Sequence, residues 1–165
     1  MAKVARGSRV VVSSLLEQLD EAYDRQSWHG TNLRGSLRGL SGDQALWRPA
    51  PERHNVWEIT IHAAYWKYAA RRRLTGEKRG AFPRKGSDWF PSPVSPTEAQ
   101  WREDIGLLGE SHRLLRDAVA HLTDADLRRR APGSKVTIAR LVRGVAAHDL
   151  YHAGQIQLLK RLLRS

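Results

Sequence analysis

Ile138-Ala-Arg-Leu141-Val-Arg-Gly-Val145-Ala-Ala-His148-Asp149-Leu150-Tyr151-His152-Ala153-Gly154-Gln155-Ile156-Gln-Leu-Leu159-Lys-Arg-Leu-Leu163 is the stretch from which the fold is read. Ile138, Leu141, Val145, His148, His152, Ile156, Leu159 and Leu163 recur every three or four residues. That period draws one continuous stripe along a helix and predicts a buried helix packed among others. Two members of the stripe are histidines four residues apart, so both imidazoles leave the same face about one turn apart. Each polar ring in an apolar seam needs a partner. A divalent metal is the simplest shared partner, and two separately bonded core histidines are the alternative.

Bulk properties narrow the field. The 165 residues suit one domain, 1–165, with one core. Apolar residues make up 41% and charged residues 27%, a globular balance. There is no cysteine, which removes disulfides, iron–sulfur ligation and a thiol nucleophile and leaves histidine and carboxylates as metal ligands. Met1-Ala-Lys-Val-Ala-Arg-Gly-Ser-Arg is followed only by Val10-Val11-Val12, too short an apolar run for a leader, and nothing approaches a membrane span. A soluble cytoplasmic protein is the expectation. The net charge of +11 raises the prospect of a polyanionic partner. The densest basic runs, Arg71-Arg72-Arg73 and Arg128-Arg129-Arg130, fall at expected helix ends, where cations complement the dipole.

The pattern predicts four helices. Residues 13–39 form the first, with Leu15, Leu16, Leu19, Ala22, Tyr23, Leu33, Leu37 and Leu40 on its apolar face and Gly30, Gly35 and Gly39 weakening it. Residues 40–55 read as a loop. Asn55 and Glu58 resemble a capping box opening the second helix, which ends at Gly76. No charge interrupts Ile59–Trp66, so this helix is central, with His62 in its middle. Residues 76–94 form a long loop bearing Phe82, Trp89 and Phe90, expected to pack near the mouth of a site. Ser95-Pro96-Thr97-Glu98 starts the third helix, which runs to about Leu122. A polar connection, Thr123–Val136, leads to Thr137 as cap of the last helix. The fold class is all-α: a four-helix bundle with a long connection between helices 2 and 3, which suggests at least one crossover.

If helices 2 and 4 face each other, His62 comes within reach of His148 and His152. Three neutral imidazoles leave open positions on a metal, as reactive sites do and structural zinc sites do not. Around them, Glu58 is a cap or a general base, and Asp149 points about 100° away from His148, toward His62 or an arginine. Gln155 lines the site or bonds a neighbouring helix, Tyr151 packs, and Gly154 permits close helix approach. His29 is a further candidate. His54, His112 and His121 read as loop or surface residues, and the six tryptophans as core and loop anchors.

Val56-Trp57-Glu58-Ile59-Thr60-Ile61-His62-Ala63-Ala64-Tyr65-Trp66, followed by Arg71-Arg72-Arg73-Leu74-Thr75-Gly76-Glu77, resembles the second helix of the DinB-like (YfiT-like) metalloenzyme superfamily. His148-Asp149-Leu150-Tyr151-His152-Ala153-Gly154-Gln155-Ile156 resembles its fourth, and Trp28-His29-Gly30 and Trp47-Arg48-Pro49 are also similar. The resemblance implies a bundle in up-down-down-up order, often dimeric. It implies nickel, zinc or iron held by His62, His148 and His152, and a small-molecule substrate. Characterised relatives include thiol S-transferases that use bacillithiol or mycothiol and a mycothiol-dependent maleylpyruvate isomerase; others are described as hydrolases. The expected function is therefore a metal-dependent thiol transferase or hydrolase. The alternative is a basic nucleic-acid-binding protein with a structural metal.

Overall fold

The computed structural model describes residues 8–165; the reading of the extreme N-terminus as lacking a leader lies outside them in part. Six α-helices and one 3-10 turn occur among the described residues. They are α1 (Val10–Tyr23), α2 (Leu33–Ser36), α3 (Gly42–Leu46), α4 (Val56–Thr75), α5 (Glu98–Ala120) and α6 (Ile138–Leu162), with the 3-10 turn at Asp126–Arg128. The four-helix bundle expected, in up-down-down-up order, is therefore corrected to an all-α fold of six helices.

The error lies in the N-terminal third, and its cause is local. Helix α1 stops at Tyr23, well short of residue 39. Gly30 (φ +97°) and Gly39 (φ +73°) adopt left-handed backbone that a continuing helix cannot accommodate. Between them Asn32 caps α2, its Oδ1 accepting the Gly35 N–H at 2.8 Å. The stretch read as a loop holds α3, opened by a Ser41/Gln44 capping box. Leu33 and Leu37 still reach the core, so the apolar repeat is real but is carried by separate pieces.

Elsewhere the expected starts are close. Asn55 and Glu58 form the capping box of α4, and Gly76 (φ +76°) closes it. Thr137 caps α6. Helix α5 is capped by Thr97 with Gln100, two residues later than Ser95 and Pro96 suggest. No described helix is long and apolar enough to cross a membrane.

Helix α4 packs on α5 and α6, α1 packs on the same two helices, and α2 packs on α6. One apolar cluster gathers around Trp57, Trp101, Leu108 and Ile156. A second gathers around Leu15, Leu19, Leu115 and Val142. Trp57 and Trp101 are fully buried, with ring centroids 5.1 Å apart, and both indole N–H groups are bonded, to Asp104 Oδ2 (2.8 Å) and the Leu40 carbonyl (2.9 Å). Not every tryptophan anchors the core as expected: Trp28 is fully exposed, on the turn that follows the shortened α1.

One buried charge was not anticipated. Lys67 of α4 is 0% exposed and forms an ion pair with Asp149 of α6, also 0% exposed. Its Nζ also lies 3.3 Å from His112 Nδ1 and 5.0 Å from the Tyr23 ring centre. Asp149→Ala, which strands the ammonium in the core, should cost about 3–5 kcal/mol of unfolding free energy. In the double variant Lys67→Met/Asp149→Leu most of that loss should be recovered; chemical denaturation of the two proteins checks it.

Candidate metal centre

The capping box of α4 sets the register from which His62 projects, and α6 presents His148 and His152 one turn apart. The three rings converge. His62 Nε2 is 3.1 Å from His148 Nε2, which is 3.0 Å from His152 Nε2, and the three potential ligand atoms lie within 4.8 Å of one another. The sequence-predicted triad is thus brought together as one cluster capable of coordinating a metal ion.

The other ring nitrogens fix the tautomers. His62 Nδ1–H donates to the Asp88 backbone carbonyl at 2.8 Å. His152 Nδ1–H donates to Gln155 Oε1 at 2.6 Å. Carbonyl oxygens only accept, so both hydrogens sit on Nδ1 and both Nε2 atoms turn bare lone pairs inward. His148 Nδ1 is buried without a partner. If His148 is protonated at Nδ1, three lone pairs face one another. If it is protonated at Nε2, one hydrogen must serve two acceptors and Nδ1 is an orphaned acceptor. A cation between the three Nε2 atoms satisfies all three lone pairs, so the donor set fits a metal.

Burial keeps the rings neutral, the form that coordinates. His148 is pushed down to about 3 by burial, with His152, His62 and Lys67 adding to the effect. His152 is pushed down to about 4 by burial, against the bond to Gln155 and with the help of His62. His62 is lowered by burial, against the pull of Asp88.

The long loop supplies the second layer. Asp88 has φ +66°, a left-handed conformation that non-glycine residues seldom adopt. There its carbonyl meets His62, and its Oδ1 accepts the Trp66 indole N–H at 2.8 Å. Trp89 stacks on His62 (3.8 Å between centroids, 9° between planes) and on His54 (3.6 Å, 3°), so the indole is sandwiched between two imidazoles. The expectation that loop aromatics pack at the site holds for Trp89. Phe82 and Phe90 pack instead on Tyr65.

The remaining candidates divide. Glu58 forms the cap, and its carboxylate also binds Arg48 through two nitrogens, His54 Nδ1 (3.0 Å) and Ser92 Oγ (3.2 Å). Asp149 meets neither His62 nor an arginine, but Lys67. Gln155 orients His152. Tyr151 is mostly exposed, its ring edge-on to His152 at 5.1 Å. Gly154 is exposed with open space where a Cβ would stand, so no close helix approach occurs there. His29 is exposed on the turn after α1 and takes no part in the cluster. His121 is exposed at the end of α5, as expected. His112 is corrected from surface to core: it is buried and stacked on Tyr23 at 4.0 Å. Sequence reasoning missed Asp88, Lys67 and the role of Arg48. Arg48 lay in a segment singled out beforehand, and Asp88 in the long loop expected near the site, but neither residue was assigned a role.

An all-α protein with a largely buried tri-histidine cluster capable of holding a metal is the class that fold and site define. The profile of the DinB superfamily matches residues 25–156, a span that includes all three histidines, and the chain belongs to that superfamily. No curated protein and no solved structure matches the chain.

Glu58 yields a pH prediction. Burial alone would raise its carboxyl, but the bonds from Arg48 and His54 hold it down at about 2, against an ordinary value of 4.5. A depressed carboxylate stabilises the fold above its unfolded pKa, and that stability is lost as pH falls through the folded pKa. Wild type should therefore exceed Glu58→Gln by of order 3 kcal/mol at pH 7. The gap should close between about pH 4.5 and 2; urea denaturation across that range measures it.

Proposed function

We propose that the chain is a metal-dependent enzyme that activates a small nucleophile, a thiol or water, at a divalent cation held by His62, His148 and His152. The observation that carries this reading is the convergence of three neutral Nε2 atoms, two of them locked as acceptors by hydrogen bonds on the opposite side of the ring. Three nitrogen donors without cysteine or carboxylate suit zinc, nickel or iron(II). A cation bound there supplies Lewis acidity, lowering the pKa of a coordinated water or thiol toward neutrality.

The chain's own residues supply the rest. Asp88 and Gln155 orient His62 and His152, and Trp89 covers one face of His62. Beside His148 an apolar groove of about 250 Å³ runs between α4 and α6, floored by Ala70, Leu141 and Val145 and flanked by Trp66. It gives a substrate an open, mostly apolar approach to His148. Arg73 and Arg140 line the same groove and would hold an anionic group of that substrate. The reaction that fits is thiol transfer to an electrophilic carbon, with hydrolysis as its counterpart when water is the nucleophile.

Metal content tests this reading first. Untagged protein should carry about one divalent metal per chain by mass spectrometry, and His148→Ala should carry none; a full complement in the variant would sink the proposal. Gln155→Leu removes only the orienting acceptor of His152, so it should keep the site and weaken metal affinity about 10–100-fold. Loaded wild type should then be assayed for conjugation of bacillithiol or mycothiol to an electrophile, and for ester hydrolysis. Loss of either activity in His62→Ala ties it to the centre.

A further inference from the structure

A second cleft, of about 780 Å³, lies where the loop after α4 folds back over the outer face of that helix. Gly80 (φ +110°) and Gly86 (φ +120°) make the turns, and Tyr68 pins the fold-back by accepting the Ala81 N–H at 3.2 Å. Its walls combine two chemistries. Tyr65, Trp66, Tyr68 and Phe82 form an aromatic side. Five cations, Arg72, Arg73, Arg79, Arg84 and Lys85, face a single carboxylate, Asp88.

Most of that positive charge is uncompensated. Arg84 is bound to Asp104 (2.5 Å) and Glu103 (3.3 Å), and Arg71, on the adjacent turn, to Glu77. Among the described residues Arg72, Arg73, Arg79 and Lys85 have no carboxylate at ion-pair distance. Asp88 already accepts from Trp66 and lies 3.3 Å from His62 Nδ1. Like charges gathered around a concave surface repel one another and focus a positive potential in it. In a chain of net charge +11, four unpaired cations around one cleft are a standing cost that an anion removes.

We propose that this cleft binds a small polyanion carrying a planar aromatic ring, the class to which nucleoside di- and triphosphates belong. The arginines match phosphate oxygens in fork geometry, and an aromatic wall receives a ring by stacking. The volume falls within the roughly 300–1,000 Å³ of small-molecule pockets, which selects a single mononucleotide-sized ligand over a strand of nucleic acid. The site is separate from the tri-histidine cluster, although Trp66 and Arg73 line both this cleft and the groove beside His148.

Isothermal titration of the full chain, treated with chelator so that the metal centre plays no part, tests the proposal with four probes: ADP, adenosine, inorganic pyrophosphate and an eight-nucleotide single strand. ADP should bind once per chain, with adenosine and pyrophosphate each at least tenfold weaker. Arg72→Gln/Arg79→Gln should weaken ADP at least tenfold, and Lys85→Gln, on an exposed loop, about threefold. Arg113→Gln, whose guanidinium pairs with Glu110 and Asp117 elsewhere on α5, should leave binding unchanged. Absent ADP binding, equal affinity in the Arg72/Arg79 variant, or pyrophosphate binding as tightly as ADP would overturn the proposal. So would a single strand binding tenfold more tightly than ADP.

Discussion

A charge on α4 that water cannot reach has to be met by a charge on α6. Lys67 and Asp149 are both fully buried, and neither has another group of opposite charge within ion-pair distance among the described residues. An uncompensated charge in the interior is far costlier than any single apolar contact, so the two helices are held at the one offset that joins them. Asp149 follows His148 directly, and Lys67 lies five residues after His62. The offset that joins the ion pair is the offset at which the Nε2 atoms of His62 and His148 come within 3.1 Å. Apolar packing alone would tolerate sliding along such an interface; an ion pair with fixed partners does not.

Around that frame the tri-histidine cluster is made by local geometry and then covered on one side by the loop. Helical spacing brings His148 and His152 to one face, and the same helix supplies Gln155, one turn on, to fix the His152 tautomer. His62 has no such neighbour on α4. Its acceptor comes from Asp88, far along the chain, held in left-handed backbone that costs on the order of 1 kcal/mol or more for a non-glycine residue. Trp89 follows immediately, and its stacking between His62 and His54 offsets that cost. His54 is in turn bonded to Glu58, whose carboxylate gathers Arg48, Ser92 and the start of α4. The cap of the helix and the cover of the site are one connected structure.

This division explains what could be read from the residues alone. The histidines of α6 were legible because helical period is a local property, and His62 because it stands in an uncharged run that marks a central helix. The starts of α4 and α6 were legible from their capping residues. The N-terminal third was misread because the leucine repeat continues through Gly30 and Gly39, although Asn32 and the Ser41/Gln44 pair carried cap signals of their own. Lys67 was illegible for a different reason. A lysine beside Tyr68 and before three arginines looks like the start of a solvated face, and only its partner on another helix, 82 residues on, places it inside. Asp88 belongs to a Gly- and Pro-rich loop whose path is decided by what it packs on, so no pattern within the loop announces it. His112 was hidden in the same way, its burial set by Tyr23 of α1.

The choice of acceptors behind the ligands also bears on reactivity. A carboxylate hydrogen-bonded to a metal-binding imidazole makes the ring a stronger donor and reduces the effective charge of the ion. Here the His152 acceptor is an amide oxygen and the closer His62 acceptor is a peptide carbonyl, with the Asp88 carboxylate at 3.3 Å and already engaged by Trp66. The nearby Lys67–Asp149 pair contributes no net charge. A dication at the three Nε2 atoms would therefore keep most of its charge, in a site where partial burial weakens the screening by water. Arg73 and Arg140 line the groove beside His148, and no carboxylate lines it with them. On the function proposed above, these two cations would favour an anionic reactant in that groove.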